Sequence, residues 1–123
     1  MVVSCGNRRV KSSSARTITY AQVADFEVVN VLEHQRDAYT QGLQFVDGVM
    51  WEGTGEYGSS RLQYTDMATG KSCVVAKLPN DHFGEGITLL GDKIYQLTWQ
   101  NRIMHIYDRT TYRKLATKTY KGE

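Results

Sequence analysis

Proline occurs once, at Pro79, against eleven glycines and eight tyrosines, a balance that favours short strands joined by tight turns. No run of about 18 apolar residues is present, which excludes a membrane-spanning helix. Cysteine occurs only twice. Cys5 lies near the start and Cys73 in the strand-like run Ser72-Cys73-Val74-Val75, which is no disulfide framework; Cys73 is expected to be a buried thiol. Acidic residues are missing before Asp25, whereas Arg8, Arg9, Lys11 and Arg16 all fall there. The rest of the chain holds the remaining 11 basic residues against all 13 acidic ones, so the net charge of +2 belongs to a basic leader on a near-neutral body. That is not the clustered positive surface that nucleic-acid binding requires.

What is present fits one folded domain: 123 residues, 41% of them apolar. Residues 1–24 are rich in serine, arginine and lysine and lack apolar periodicity, so they read as a flexible leader. Within it, Val2-Val3-Ser4-Cys5 resembles the end of a bacterial lipoprotein signal, in which the cysteine carries the lipid. The alternative is an ordinary free cysteine near a frayed end. A lipid on Cys5 would be the chain's one means of membrane attachment.

From residue 25 onward the sequence repeats. Tyr39-Thr40-Gln41-Gly42-Leu43 returns as Phe83-Gly84-Glu85-Gly86-Ile87, with Gly86 following Gly42 by 44 residues. The same offset carries Trp51 to Tyr95 and Thr54 to Thr98, and Asp47-Gly48 answers Gly91-Asp92 as a two-residue hairpin turn. Each copy supplies four strands. The first copy predicts them at 40–46, 49–54, 61–66 and 72–77, the second at 84–89, 93–98, 102–108 and 113–119. A further strand is expected at Phe26–Leu32. Four-stranded units of about 40 residues mark the blades of a β-propeller. A β-sandwich would also use short strands but does not account for the echo. The fold class is therefore all-β, with antiparallel blades at about 39–82 and 83–123 plus a leading strand. Because propellers close with about four to eight blades, the chain is expected to be part of a longer one.

Tyr39-Thr40-Gln41-Gly42-Leu43, the run from Trp51 to Ser60, Phe83-Gly84-Glu85-Gly86-Ile87-Thr88 and Tyr95-Gln96-Leu97-Thr98-Trp99-Gln100 together resemble the glutamine cyclotransferase family, the plant and bacterial type of glutaminyl cyclase. The resemblance implies a five-bladed propeller that uses no metal or other cofactor. It converts the N-terminal glutamine of peptides and proteins to pyroglutamate and releases ammonia. The resemblance further implies that Glu85 shuttles protons and Gln41 hydrogen-bonds substrate, while Tyr39, Phe83 and Trp99 form an aromatic pocket. Tyr39 replaces the family's commoner phenylalanine, adding a hydroxyl. The family's exported habit, with Cys5, implies a periplasmic or envelope-attached protein.

Blade topology supports the same residues independently. In up-and-down blades, the segment leading into the innermost strand and the loop after the second strand share one face. That places Tyr39, Gln41, Phe83, Glu85 and Trp99 at one mouth, with Asp47-Gly48 and Gly91-Asp92 on the opposite face. Gly42 and Gly86 mark close backbone approach beside Gln41 and Glu85. Two other functions compete. A metal-dependent site of His82, Glu85 and His105 is disfavoured, because residues three apart on a strand face opposite ways. A non-catalytic propeller that binds a partner protein is compatible with the fold. Gly55-Glu56-Tyr57-Gly58-Ser59 lacks the helix and lysine of a phosphate-binding loop.

Overall fold

The computed structural model describes residues 20–122, so Cys5 and its lipoprotein-like run lie outside the described residues. Two units are distinguished, Met1–Asn30 and Val31–Glu123. The first, described from Tyr20 onward, has no regular secondary structure and exposes its side chains. The expected strand at Phe26–Leu32 is not formed, and the segment belongs to neither sheet. Apolar content alone does not make a strand. Phe26 and Val29 are each 90% exposed, so the apolar pattern has no buried face.

The second unit is two antiparallel sheets of four strands, each in simple sequence order. The first contains β1 (Thr40–Val46), β2 (Val49–Thr54), β3 (Arg61–Asp66) and β4 (Ser72–Lys77). The second contains β5 (Gly84–Leu90), β6 (Lys93–Thr98), β7 (Ile103–Asp108) and β8 (Lys114–Thr119). These are propeller blades.

Local chemistry sets the turns. Asp47 and Gly48 both have positive φ (53° and 79°), the pattern of a type I′ hairpin, and Gly91 supplies φ 59° at the equivalent turn of the second blade. The outer hairpins share a different device. Asp66 Oδ1 accepts from the amides of Ala68 and Thr69, each at 2.9 Å, and Asp108 Oδ1 accepts from Thr110 and Thr111 at 3.0 and 2.7 Å. The backbone amides of Thr69 and Thr111 are the main reason both carboxyls sit below their ordinary pKa. Each turn then needs a left-handed residue. Gly70 serves in the first blade and Tyr112 (φ 59°) in the second, where its ring packs at 5.7 Å on Trp51 and 6.0 Å on Tyr64.

Trp51, Leu62, Ile94 and Tyr107 form the buried core, with Val46, Val49, Ile87 and Leu89 packed around it. Burial pushes the Tyr107 hydroxyl up to about 12. Polar side chains stitch the blades together within this interface: Gln44 Oε1 accepts from the Leu89 amide at 2.7 Å, and Ser60 Oγ accepts from the Gly84 amide at 2.9 Å. Cys73, expected to be buried, is exposed. It lies on β4, the outermost strand of its blade, opposite Tyr64 of β3, in the half of the strand from Ser72 to Val74 that stays exposed.

Candidate functional site

Gln41 and Glu85 both sit at β-bulges. The β1–β2 register slips between Thr40 and Gly42, and the β5–β6 register slips between Gly84 and Ile87. A bulge re-aims a side chain that strict alternation would point elsewhere. Here the two re-aimed side chains meet: Gln41 Nε2 donates to Glu85 Oε1 at 3.1 Å. Their closeness depends on Gly42. A Cβ there would lie 2.5 Å from the Ile87 amide nitrogen and 2.9 Å from the Gly86 Cα. Gly86 differs from expectation, since a Cβ on it would meet nothing within 4 Å. Its Cα is the surface approached by Gly42, and only the first glycine is demanded by space.

The aromatic residues gather beside this pair. Phe83 is the hub, with ring centroids 6.2 Å from Tyr39, 5.4 Å from Tyr57 and 5.7 Å from Trp99, all edge-to-face. The same backbone bond ties each aromatic arm to the end of the second strand: Gly55 N to Tyr39 O at 2.8 Å, and Trp99 N to Phe83 O at 2.9 Å. Gly55 is bare for a reason, because a Cβ would come within 2.7 Å of the Phe83 ring and 3.0 Å of Gln41 Cγ. An open pocket of about 630 Å³ lies beside Glu85, lined also by Leu97, Trp99, Arg102 and Tyr120. All five residues singled out from the sequence thus lie at one mouth.

The arm carrying Gln41 is braced from behind. The buried Glu52 carboxylate accepts from Thr40 Oγ1, from Gln63 Nε2 at 2.7 Å and from His34 Nε2 at 3.0 Å. Gln63 in turn accepts from Arg61 Nε at 2.7 Å, and Arg61 reaches Asp37 at 3.2 Å. Thr40 lies between Tyr39 and Gln41, so this network fixes the backbone that presents both.

Sequence reasoning missed Tyr57 and Tyr120. Tyr57 occupies the β2–β3 loop, which topology already assigned to the mouth. Tyr120 folds back from β8, and its hydroxyl donates to the Thr98 carbonyl. His82 and His105 are not isolated: His82 Nδ1 and His105 Nε2 lie 3.0 Å apart. They pair with each other and not with Glu85. Among the described residues no three His, Cys, Asp or Glu side chains converge as a metal set.

Fold and site together define propeller blades that present a carboxyl–amide pair inside an aromatic mouth. The profile of the glutamine cyclotransferase family matches residues 1–123, and the chain belongs to that family. A glutaminyl-peptide cyclotransferase of Arabidopsis thaliana is 39% identical over 88 residues, 71% of this chain. The chain spans only 28% of that relative's length. Among solved structures, a chain of the mitotic checkpoint complex superposes with a TM-score of 0.55 at 15% identity, over 86% of this chain and 37% of the other, a likeness of fold alone.

Proposed function

We propose that the protein is a glutaminyl-peptide cyclotransferase whose site is built around Glu85. The observation carrying this reading is the Gln41–Glu85 hydrogen bond of 3.1 Å at the edge of the Phe83-centred aromatic cluster. The reaction needs no protein nucleophile. The α-amine of the substrate's N-terminal glutamine attacks its own γ-carboxamide carbon, forming a C–N bond and a tetrahedral oxyanion. Glu85 takes the proton that the amine nitrogen sheds. It returns that proton to the amide nitrogen as the old C–N bond breaks, and ammonia and a five-membered lactam remain. The chain's further contribution is confinement, because holding amine and carboxamide within reach removes entropy from the barrier.

Phe83, Trp99 and Tyr39 serve as walls against the aliphatic part of the glutamine, and Gln41 supplies hydrogen bonds to its polar end. Trp99 is 49% exposed and faces the pocket that also contains Glu85. Trp99→Ala is therefore expected to raise KM about tenfold through lost apolar contact while kcat changes little. Steady-state kinetics on a glutaminyl peptide check this. A collapsed kcat at constant KM would remove Trp99 from the wall.

The reading itself is tested by incubating the protein with a glutaminyl dipeptide and following ammonia and the pyroglutamyl product. Release above the spontaneous rate is expected. A peptide that binds without turning over would instead favour a protein-binding propeller.

A further inference from the structure

The segment between β4 and β5 carries Phe83 into the mouth, and one buried side chain next to it has no part in the chemistry above. His82 is 9% exposed, and His105, in the middle of β7, is 2% exposed. Their rings stack with centroids 5.2 Å apart and planes 29° apart, and Nδ1 of His82 lies 3.0 Å from Nε2 of His105. The contact spans 23 residues and joins the interior of the second blade to the residue immediately before Phe83. The rest of the segment is tied mainly by its backbone: the Leu78 amide to the Ser60 carbonyl, Gly58 to the Asn80 carbonyl, and Asn101 Nδ2 to the Asp81 carbonyl at 3.0 Å.

Two neutral imidazoles suit this contact, since one donates an N–H and the other accepts with its lone pair. Added protons do not suit it. Both rings protonated would set two N–H groups against each other, and even one charge would be held away from water. The other ring nitrogen of His105 is buried with no hydrogen-bond partner. Its neighbours offer no compensating anion. Across β6 the facing residue is Gln96 and across β8 it is Thr117; Tyr107 lies 6.2 Å away along β7, and Lys114 of β8 adds positive charge. Asp81, in the His82 segment, is solvent-exposed.

We propose that His82 and His105 are a positioning pair for the arm that presents Phe83 and Glu85, locking it while the two rings share a neutral hydrogen bond and releasing it when His105 is protonated. This rests on the cyclotransferase reading for its ligand, a peptide with N-terminal glutamine. Burial, reinforced by Lys114 and by His82, holds His105 down at about 4, below its ordinary 6.5. For a basic group lowered in this way, the locked state is fully favoured above 6.5 and loses ground as pH falls from there toward about 4.

Because the peptide's own α-amine protonates across this range, KM is expressed as the concentration of the neutral-amine form; so expressed, it should rise about tenfold between about pH 7.5 and about pH 5. In the double variant His82→Asn with His105→Gln, the two amides replace the facing nitrogens without titrating, and KM on the same neutral-amine basis should change less than about twofold. An equal rise in both proteins would overturn the proposal. NMR titration without peptide provides a second readout that needs neither the variant nor turnover. The Phe83 ring and Glu85 amide signals should shift with the same midpoint as the His105 ring. If those signals stay put while His105 titrates, the pair does not hold the arm. Absence of ammonia release near neutral pH would instead count against the cyclotransferase reading, leaving the NMR result to decide the histidine pair.

Discussion

Glu85→Gln is expected to lower kcat on a glutaminyl peptide by ~10²–10⁴, the usual loss when a general acid–base is removed. The substitution is informative because it changes little else. A glutamine at 85 can still accept through its side-chain oxygen from Gln41 Nε2, the partner now at 3.1 Å from the carboxylate. The bulge that aims the side chain is a property of the β5–β6 register and stays. Only the ability to hold and return a proton is lost. KM should therefore stay within about threefold, which separates a chemical defect from a binding one. Turnover near the unsubstituted rate would take Glu85 out of the mechanism.

Gly42→Ala should have a large structural effect for a single methyl group. Its three nearest neighbours, at 2.5, 2.9 and 3.0 Å, are all backbone atoms of Gly86 and Ile87, so no flexible side chain can swing away. The two blades must separate locally, at a cost of about 1–3 kcal/mol for forced overpacking. The same separation pulls Gln41 from Glu85, so activity should fall together with stability. Gly86→Ala is the matched control. It adds the same methyl group on the other side of the contact, where nothing lies within 4 Å, and should change stability by less than about 0.5 kcal/mol. Denaturant unfolding of both variants is the measurement. Equal midpoints would mean that the blades are not in contact at Gly42.

The blade pattern was legible because several local signals agree. In β2, the Asp47-Gly48 turn fixes where Val49 begins, and the repeat fixes where Thr54 ends. The echo of Gln41 in Glu85 announced that both share a position, and hairpin topology put them at one mouth with three aromatics. The bulges were not legible. They arise from where two blades touch, which is a tertiary fact, and they bring the two side chains together. Arg102, expected to begin a strand, stands outside it because its φ of 55° belongs to the loop, and β7 starts at Ile103. Phe26–Leu32 and Cys73 erred for a related reason. Strand-like composition does not reveal whether a covering layer exists. The meeting of His82 with His105 depends on the path of the segment around Pro79, and strand periodicity is silent about that.

On the proposed function, a carboxyl at position 85, set against Gln41 in an aromatic mouth, moves the proton that closes an N-terminal glutamine on itself. The most direct measurement uses a peptide with a heavy-nitrogen label in the side-chain amide of that glutamine. The protein is expected to release labelled ammonia and leave a pyroglutamyl peptide, and Glu85→Gln to suppress both. Unlabelled ammonia, or labelled ammonia released equally well without the Glu85 carboxyl, would contradict the proposed function.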